Sequence, residues 1–162
     1  MRIGVIADTH LSGGNNSLPQ KIIEDFKGVD MVIHAGDLGS LDVLDQLKSL
    51  CADVRAVWGN MDPDEVRNAL AEKEVIQAGR YKIGLTHGRG SPNGLIEMVT
   101  EVFKTEKVDL IIFGHSHSAV NTKEGGIIYF NPGSPTDKMF ATYNSYGLIE
   151  INDGINAKIV KL

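Results

Sequence analysis

Five short apolar segments of this chain each end in side chains that can bind a metal ion. Short apolar runs bounded by polar and turn-forming residues are typical of buried β-strands. In an open α/β sheet, the carboxyl ends of parallel strands meet at one edge, so residues that follow several strands can converge there. The residues that end these segments are Asp8, His10, Asp37, Asn60, His87, His115 and His117. We therefore predict one polar crevice at a sheet edge.

Strand and helix patterns alternate over the first two thirds of the chain, and strand patterns dominate the last third. Alternation at short spacing indicates parallel strands joined by crossover helices, so we expect an α/β (α+β) fold in which residues 1–162 form one domain. A loop of Ser, Gly and Asn residues precedes the first helix. The predicted helices cover residues 19–27, 41–50, a short segment after Pro63, and 93–104. The predicted strands cover residues 2–7, 30–34, 53–57, 74–77, 81–85, 108–113, 119–121, 127–130, 147–151 and 156–160.

Composition excludes several classes of function. The chain has 162 residues, a formal net charge of −5 and one cysteine, Cys51. A lone cysteine cannot form an intramolecular disulfide and is compatible with a cytoplasmic location. No apolar run approaches the roughly 20 residues that cross a bilayer, so no membrane partner is expected. An acidic chain also disfavours binding to polymeric nucleic acid, although bound cations still allow a nucleotide substrate. A homodimer is compatible with this size.

The chemistry of the residues that end these segments favours a particular class of metal. Carboxylates, imidazoles and one amide oxygen, without a thiolate, suit Mn²⁺, Fe²⁺, Ni²⁺ or Zn²⁺ better than Ca²⁺. Seven ligands exceed what one tetrahedral ion needs, and they suit two ions about 3.5–4 Å apart with Asp37 as the bridge. Burying this many imidazoles and carboxylates together without a cation would be very costly. By contrast, His34 lies inside a predicted strand and is interpreted as a structural histidine.

Backbone geometry adds two expectations. Asp8 and His10 are two residues apart and would point to the same side of an extended chain, as would His115 and His117. Glycines flank four of the ligands, where the absence of a side chain would let the backbone approach the site closely. These glycines are Gly36, Gly59, Gly88 and Gly114.

The motifs D-x-H, G-D, G-N-x-D, T-H-G and G-H-S-H, followed by N-P-G-S at 131–134, resemble the calcineurin-like metallophosphoesterase superfamily. The resemblance extends over residues 1 to about 160 and is greatest to its small single-domain prokaryotic phosphodiesterases. It implies a four-layer α-β-β-α sandwich of two mixed β-sheets flanked by helices, and hydrolysis of phosphodiesters with Mn²⁺ or Ni²⁺. It also implies one ion held by Asp8, His10, Asp37 and His117, and a second held by Asp37, Asn60, His87 and His115.

We assign catalytic roles to Asp37, Asn60 and His115, and substrate contacts to Asn60 and Arg89. Two residues depart from the family pattern. Met61 stands where many members carry a histidine that protonates the leaving group. Arg89 stands where similar enzymes carry a second histidine, and it either holds a phosphate oxygen or is an ordinary solvated residue. The N-P-G-S segment is interpreted as a turn that shapes the rim.

The sequence therefore predicts a phosphoric ester hydrolase that acts on small phosphodiesters with two divalent ions, of which Mn²⁺ is the expected metal. Two alternatives stay open. The first is a phosphomonoesterase with the same centre, because the surrounding pocket, not the centre, decides whether diesters or monoesters are preferred. A protein-binding scaffold of the same fold, like one subunit of the retromer sorting complex, is the second alternative, and it is disfavoured because all seven ligands are intact.

Overall fold

The structure, a computed structural model, describes residues 1–12, 14 and 17–162. Part of the Ser, Gly and Asn loop expected before the first helix, namely Gly13, Asn15 and Asn16, lies outside the described residues. The strands are β1 (Arg2–Ile6), β2 (Met31–His34), β3 (Val54–Ala56), β4 (Lys73–Ala78), β5 (Tyr81–Thr86), β6 (Leu110–Ile112), β7 (Val120–Glu124), β8 (Ile127–Asn131), β9 (Ser145–Ile151) and β10 (Ile155–Lys161). The helices are α1 (Gln20–Phe26), α2 (Asp42–Leu50), α3 (Asp64–Ala69) and α4 (Leu95–Val102).

The strands form two mixed sheets of five strands each. The first sheet has the order β10-β9-β1-β2-β3, and the second has the order β4-β5-β6-β8-β7. Strands β1, β2 and β3 are parallel, with Ile3 opposite Met31 and Val32 opposite Val54. Strands β5, β6 and β8 are also parallel. The antiparallel pairings are made by β9 and β10 in the first sheet and by β4 and β7 in the second. The predicted parallel strands with crossover connections are therefore confirmed.

Alternation of side chains along the strands separates three apolar layers. Ile3 of β1 and Ile112 of β6 lie in the core between the two sheets, whereas Ile6 of β1 faces the helices on the outer side. Ile111 of β6 turns the opposite way and packs with Val99 of α4. Since a buried aliphatic or aromatic side chain contributes about 1.5–3 kcal/mol, these layers hold the sheets and helices together. The four-layer α-β-β-α sandwich is confirmed.

One glycine explains how α1 docks on the first sheet. A Cβ at Gly4 would lie 2.6 Å from the ring of Phe26, which is fully buried at the end of α1. The missing side chain on β1 leaves the space that the ring fills, so the helix can approach the strand closely. This contact helps to fix the position of β1, whose carboxyl end leads into the polar crevice.

The elements differ from the predicted ones mainly at their ends. Helix α4 begins at Leu95 rather than at residue 93, because Gly94 at its N-cap has a φ of 88°, a left-handed conformation that does not continue a helix. Strand β7 runs to Glu124, three residues beyond the expected end at 121, because it pairs along its length with β8. Among the described residues, no helix is both long and apolar enough to cross a membrane.

Candidate metal centre

The seven predicted ligands come from loops at the carboxyl ends of parallel strands in both sheets. Asp8 and His10 follow β1, Asp37 follows β2, Asn60 follows β3, His87 follows β5, and His115 and His117 follow β6. The two sheets bring them to one place. The Nε2 atoms of His10 and His117 are 3.1 Å apart, and the Nε2 atom of His87 lies 3.3 Å from a carboxylate oxygen of Asp37. The structure thus brings all seven together.

The backbone at these ligands is not extended. Five of the seven, Asp8, His10, Asp37, His115 and His117, have φ between 46° and 71°. The expectation that neighbouring ligands share one side of an extended chain was therefore wrong, because β1 ends at Ile6 and β6 ends at Ile112, before the ligands begin. Left-handed backbone costs residues other than glycine about 1–2 kcal/mol each, so the fold holds these positions in strained conformations.

Three of the four flanking glycines allow close approach, as predicted. A Cβ at Gly36 would lie 2.7 Å from Nδ1 of His87, and one at Gly114 would lie 2.8 Å from Oδ2 of Asp8. A Cβ at Gly59 would collide with the side chain of Asp37. The expectation was wrong at Gly88, where the nearest atom belongs to Leu95 of α4. The ligands are therefore packed directly against backbone that carries no side chain.

The outer ring nitrogen of three histidines contacts an atom that can only accept a hydrogen bond. Nδ1 of His87 lies 2.7 Å from the carbonyl oxygen of Ala35, and Nε2 of His115 lies 2.8 Å from that of Gly90. Nδ1 of His117 lies 2.6 Å from a carboxylate oxygen of Asp137. Each outer nitrogen must therefore carry the hydrogen, and in a neutral imidazole the other nitrogen then keeps its lone pair.

These lone pairs point at other electron-rich atoms. The inner nitrogens of His87 and His115 lie 3.2 Å and 2.8 Å from Oδ1 of Asn60. The inner nitrogen of His117 lies 3.4 Å from a carboxylate oxygen of Asp8. Such an arrangement is repulsive unless a positive charge lies among the atoms, either a proton on the imidazole or a metal ion. Fixing the outer nitrogen so that the inner one faces a metal is the usual way in which proteins orient histidine ligands, so the residues fit divalent ions.

The two carboxylates support the same conclusion. Oδ1 of Asp8 accepts the backbone N–H of His115, but its buried Oδ2 has no hydrogen-bond partner among the described residues. Burial raises the pKa of Asp8 to about 7, although His87 and His117 pull it down. Burial also raises the pKa of Asp37, but the hydrogen bond and charge of His87 outweigh it and the pKa is below its usual value. A buried acceptor without a partner costs about 1–3 kcal/mol, which a bound cation would offset.

Two groups of side chains have geometry suited to a metal ion. One consists of Asp8, His10 and His117, and the other of Asp8, Asp37 and His87. Asp8 belongs to both groups. A carboxylate oxygen of Asp37 also lies 3.8 Å from Nε2 of His10, so Asp37 lies between the groups as well. The sequence led us to expect Asp37 alone as the bridge. In the structure Asp8 also lies between the two groups, so its carboxylate is placed as well for bridging as that of Asp37.

His34 has a structural environment. The backbone N–H of Gly36 donates to its Nδ1 at 3.2 Å, so Nε2 carries the hydrogen and donates to the Thr9 hydroxyl at 2.9 Å. That hydroxyl in turn donates to the carbonyl oxygen of Leu38 at 3.0 Å. Burial lowers the pKa of His34 to about 3, so the ring is neutral. Both ring nitrogens are occupied, which agrees with its interpretation as a structural histidine.

Sequence reasoning missed Asp137, the partner of His117. Its carboxylate also accepts backbone N–H groups from Met139, Phe140 and Ala141 at 2.8–3.0 Å. Burial raises its pKa, but the backbone hydrogen bonds and His117 outweigh burial and hold the pKa at about 2. The available signal was an aspartate three residues beyond the N-P-G-S turn. Within that turn, the hydroxyl of Ser134 donates to the carbonyl oxygen of Asp8, so the turn supports a ligand.

Arg89 and Met61 occupy different surroundings. Met61 is 69% exposed and lines a cavity of about 1020 Å³ together with five of the ligands. Arg89 lies outside the residues that line this cavity and borders a smaller one of about 150 Å³, which also touches Asn60 and His87. Its guanidinium lies 3.7 Å from a carboxylate oxygen of Glu72. A substrate contact by Arg89 stays a prediction.

Metal removal is expected to lower the melting temperature of this protein. Ions that bind only the folded state would stabilise it by about 4 kcal/mol at a thousandfold excess over Kd, which for a chain of this size corresponds to about 8–16 °C. Differential scanning fluorimetry after chelation, and again after addition of Mn²⁺, measures the shift. Superimposed melts with and without chelator would count against a metal centre.

Comparison with known proteins agrees with this geometry. The sequence model of the calcineurin-like phosphoesterase superfamily domain matches residues 1–154. A probable metallophosphoesterase of Methanocaldococcus jannaschii is 36% identical over 163 residues, which cover 100% of this chain and 82% of the relative. A phosphodiesterase of the same organism is 30% identical and covers 82% of this chain and 83% of the relative. Among solved structures, wild-type Vps29 from Entamoeba histolytica complexed with Zn²⁺ has a TM-score of 0.79 and 28% identity, with 99% of both chains covered.

The match between the family model and almost the whole chain, together with relatives that are at least 30% identical, assigns the fold and the ligand motifs to one family. The chain belongs to the calcineurin-like phosphoesterase superfamily.

Proposed function

We propose that this protein is a metal-dependent phosphodiesterase that hydrolyses small phosphate diesters at a centre of two divalent ions. The observation that supports this most is the set of inner imidazole nitrogens that face carboxylate and amide oxygens beside an open cavity, which Asn60, His115 and His117 line. Nitrogen and oxygen ligands without sulfur suit Mn²⁺, our first choice, and also Ni²⁺, Fe²⁺ and Zn²⁺. A relative named as a phosphodiesterase supports the reaction class.

The ligands divide into two sets in this proposal. Asp8, His10, Asp37 and His117 hold one ion, and Asp37, Asn60, His87 and His115 hold the other. When bound, the ions would lower the pKa of a water molecule between them and neutralise the phosphate oxygens. The protein's part is to fix the ligands before the substrate arrives, since His87, His115 and His117 are each held through their outer nitrogen.

Asn60 and His115 have a second proposed role in catalysis, and Asn60 also contacts the substrate. Both line the large cavity, and Asn60 also reaches the smaller cavity that Arg89 borders. A phosphodiester at the ions would therefore lie beside the Asn60 side chain, with Arg89 approaching from the neighbouring cavity. A guanidinium there would bind a phosphate oxygen by charge-assisted hydrogen bonds.

Charge limits the substrate to small esters. Among the described residues that line the large cavity, Lys138 is the only lysine or arginine, and the chain carries a net charge of −5. Proteins that bind polymeric nucleic acid usually present several cations to the backbone. We therefore propose a small diester as substrate and no polymeric nucleic acid. A cytoplasmic location and a homodimer stay predictions.

A metal-supplemented activity screen tests this function. We expect the chelated protein to be inactive, and Mn²⁺ to restore hydrolysis of bis(p-nitrophenyl) phosphate by at least about a hundredfold, since the ions supply both the nucleophile and charge neutralisation. p-Nitrophenyl phosphate and cyclic nucleotides serve as the monoester and nucleotide comparisons, and Ni²⁺, Fe²⁺ and Zn²⁺ as the metal comparisons. A faster reaction with the monoester would favour the phosphomonoesterase alternative.

The scaffold alternative is favoured by one observation, the likeness to Vps29 over 99% of both chains. A scaffold would need no turnover. Absence of hydrolysis for every ester and every metal, in a protein whose melting temperature rises with Zn²⁺ or Mn²⁺, would favour a metal-binding scaffold. Hydrolysis that depends on metal would exclude it.

A further inference from the structure

The three most exposed large hydrophobic side chains of the described residues all line one cavity. Met139 is 83% exposed, Phe140 is 73% exposed and Met61 is 69% exposed, and each borders the cavity of about 1020 Å³ that contains the candidate metal centre. Other exposed large hydrophobic side chains are at most 44% exposed. Apolar surface concentrated beside a polar site marks a place where an apolar group of a ligand is received.

The segment that carries two of these side chains is held in place by hydrogen bonds. The Asp137 carboxylate accepts the backbone N–H groups of Met139 and Phe140, and the Asn144 side chain donates to the carbonyl oxygens of Ser134 and Asp137. The backbone that carries Met139 and Phe140 is therefore held in place by the fold. A pre-arranged wall binds a ligand with a smaller loss of conformational entropy.

The same segment is tied to the metal ligands. The Asp137 carboxylate contacts Nδ1 of His117 at 2.6 Å, and the ring of Phe140 meets the His117 ring edge-on, with centroids 6.1 Å apart. A phosphate bound at the ligands would therefore have one ester arm beside Phe140 and Met139. The apolar side chains therefore lie directly beside the place where the phosphate would react.

The side-chain chemistry of the wall selects the kind of arm. An aromatic ring and a thioether are polarizable, and both favour contact with flat aromatic groups. A glycerol arm would place hydroxyl groups against the Met139 and Phe140 side chains, which offer no hydrogen bonds, and this is unfavourable. We propose that Met139 and Phe140 form a substrate subsite for an aromatic ester arm, a nucleobase or an aryl ring, of the phosphodiester. This inference rests on the proposed phosphodiesterase function.

Three diesters that release the same leaving group test the subsite. In each, p-nitrophenolate departs, while the retained arm is p-nitrophenyl, thymidine 5′-yl or methyl. With the leaving group constant, the ratio of kcat/KM for an aromatic arm to kcat/KM for the methyl arm reports only on the retained arm. We expect this ratio to fall about tenfold in Phe140→Ala, as expected for the loss of an aromatic contact. Phe140→Tyr should keep the ratio.

Further variants separate the subsite from other effects. Met139, unlike Phe140, has no ring that contacts His117, so Met139→Ala leaves that contact in place. We expect it to lower the same ratio several-fold. Val75→Ala removes an exposed hydrophobic side chain on β4 that does not line the cavity, and serves as the matched control. A fall for the p-nitrophenyl arm supports an aryl substrate, and a fall for the thymidine arm supports a nucleotide substrate.

Two results would overturn the proposal. One is an unchanged ratio in both alanine variants. The other is an equal loss with all three diesters, accompanied by a smaller Mn²⁺-induced rise in melting temperature, which would mean that the segment only supports His117. If the wild-type protein hydrolyses none of the three diesters with any metal, the proposed function itself has failed.

Discussion

Replacement of Asp37 by Asn is expected to lower Mn²⁺-dependent kcat/KM on a phosphodiester on the order of a thousandfold, with the fold intact. The carboxylate lies 3.3 Å from the His87 ring and 3.8 Å from the His10 ring, between the two groups of ligands. Loss of its negative charge would weaken the binding of both proposed ions. In the wild type, Oδ1 of Asp37 accepts the backbone N–H of Met61 at 2.7 Å. The amide oxygen of Asn can accept the same hydrogen bond, so the loop is retained.

A distant aspartate supplies the control for this substitution. Asp109 accepts the backbone N–H of Lys82 at an exposed site remote from the ligands, so Asp109→Asn should behave like the wild type. Circular dichroism checks the fold of both variants, and the Mn²⁺-induced rise in melting temperature reports metal binding independently of activity. Full Mn²⁺-dependent activity in folded Asp37→Asn would exclude Asp37 as a bridge and leave that role to Asp8.

The second large effect concerns the leaving group. Met61 occupies the place of the histidine that many family members carry, and a thioether cannot donate a proton. General acid catalysis is worth about 10²–10⁴-fold, and its benefit grows as the leaving group becomes more basic. We therefore expect kcat/KM to depend steeply on leaving-group pKa. Aryl diesters should react far faster than simple alkyl diesters, because no acid compensates for a basic leaving group.

The structure limits which groups can replace the missing acid. Asp62 is buried, and its two carboxylate oxygens accept the backbone N–H groups of Gly39 and Gly59 at 2.9 Å and 2.8 Å. Nε2 of His115 donates to the Gly90 carbonyl oxygen, and Nδ1 faces Asn60. Neither side chain presents a proton to the cavity. Lys138 also lines the cavity and is a further donor to consider.

A series of methyl aryl phosphates with graded leaving-group pKa measures this dependence. Met61→His should help the poor leaving groups most and flatten the slope, whereas Met61→Gln, which is similar in size but not acidic, should keep the wild-type slope. A shallow slope in the wild-type protein would contradict our account of Met61. In that case Lys138→Met would be the variant to compare, and the metal centre would be unaffected.

The positions of the seven ligands were predictable because two general rules act together. Buried parallel strands produce apolar runs that can be read in the sequence, and the carboxyl ends of such strands meet at one sheet edge. Asp37 comes three residues after the end of β2, and His87 comes directly after β5, so the two could be placed near each other although they are far apart in the chain. The layers of the fold followed from the same patterns and from the family resemblance.

The contacts that orient the ligands were not predictable in this way. The carbonyl oxygens of Ala35 and Gly90, which hold His87 and His115, belong to the backbone and leave no mark in the sequence. Asp137 contacts His117 across 20 residues, from a turn rather than from a strand end. Periodicity and strand-end rules describe regular elements, so they cannot locate a carboxylate that a loop brings into position. The left-handed backbone of the ligands was missed for the same reason.

That left-handed backbone affects how the site can change in evolution. At His10, His115 and His117 the fold carries a conformational cost that glycine would not carry and that asparagine tolerates better than most residues. In a lineage that no longer needed the metal, replacement of these histidines by glycine or asparagine would relieve strain while the sheets and helices around them stayed the same. Backbone strain at these three positions therefore favours their replacement once metal binding is no longer needed, and an intact set of ligands is what continued selection for metal binding would leave.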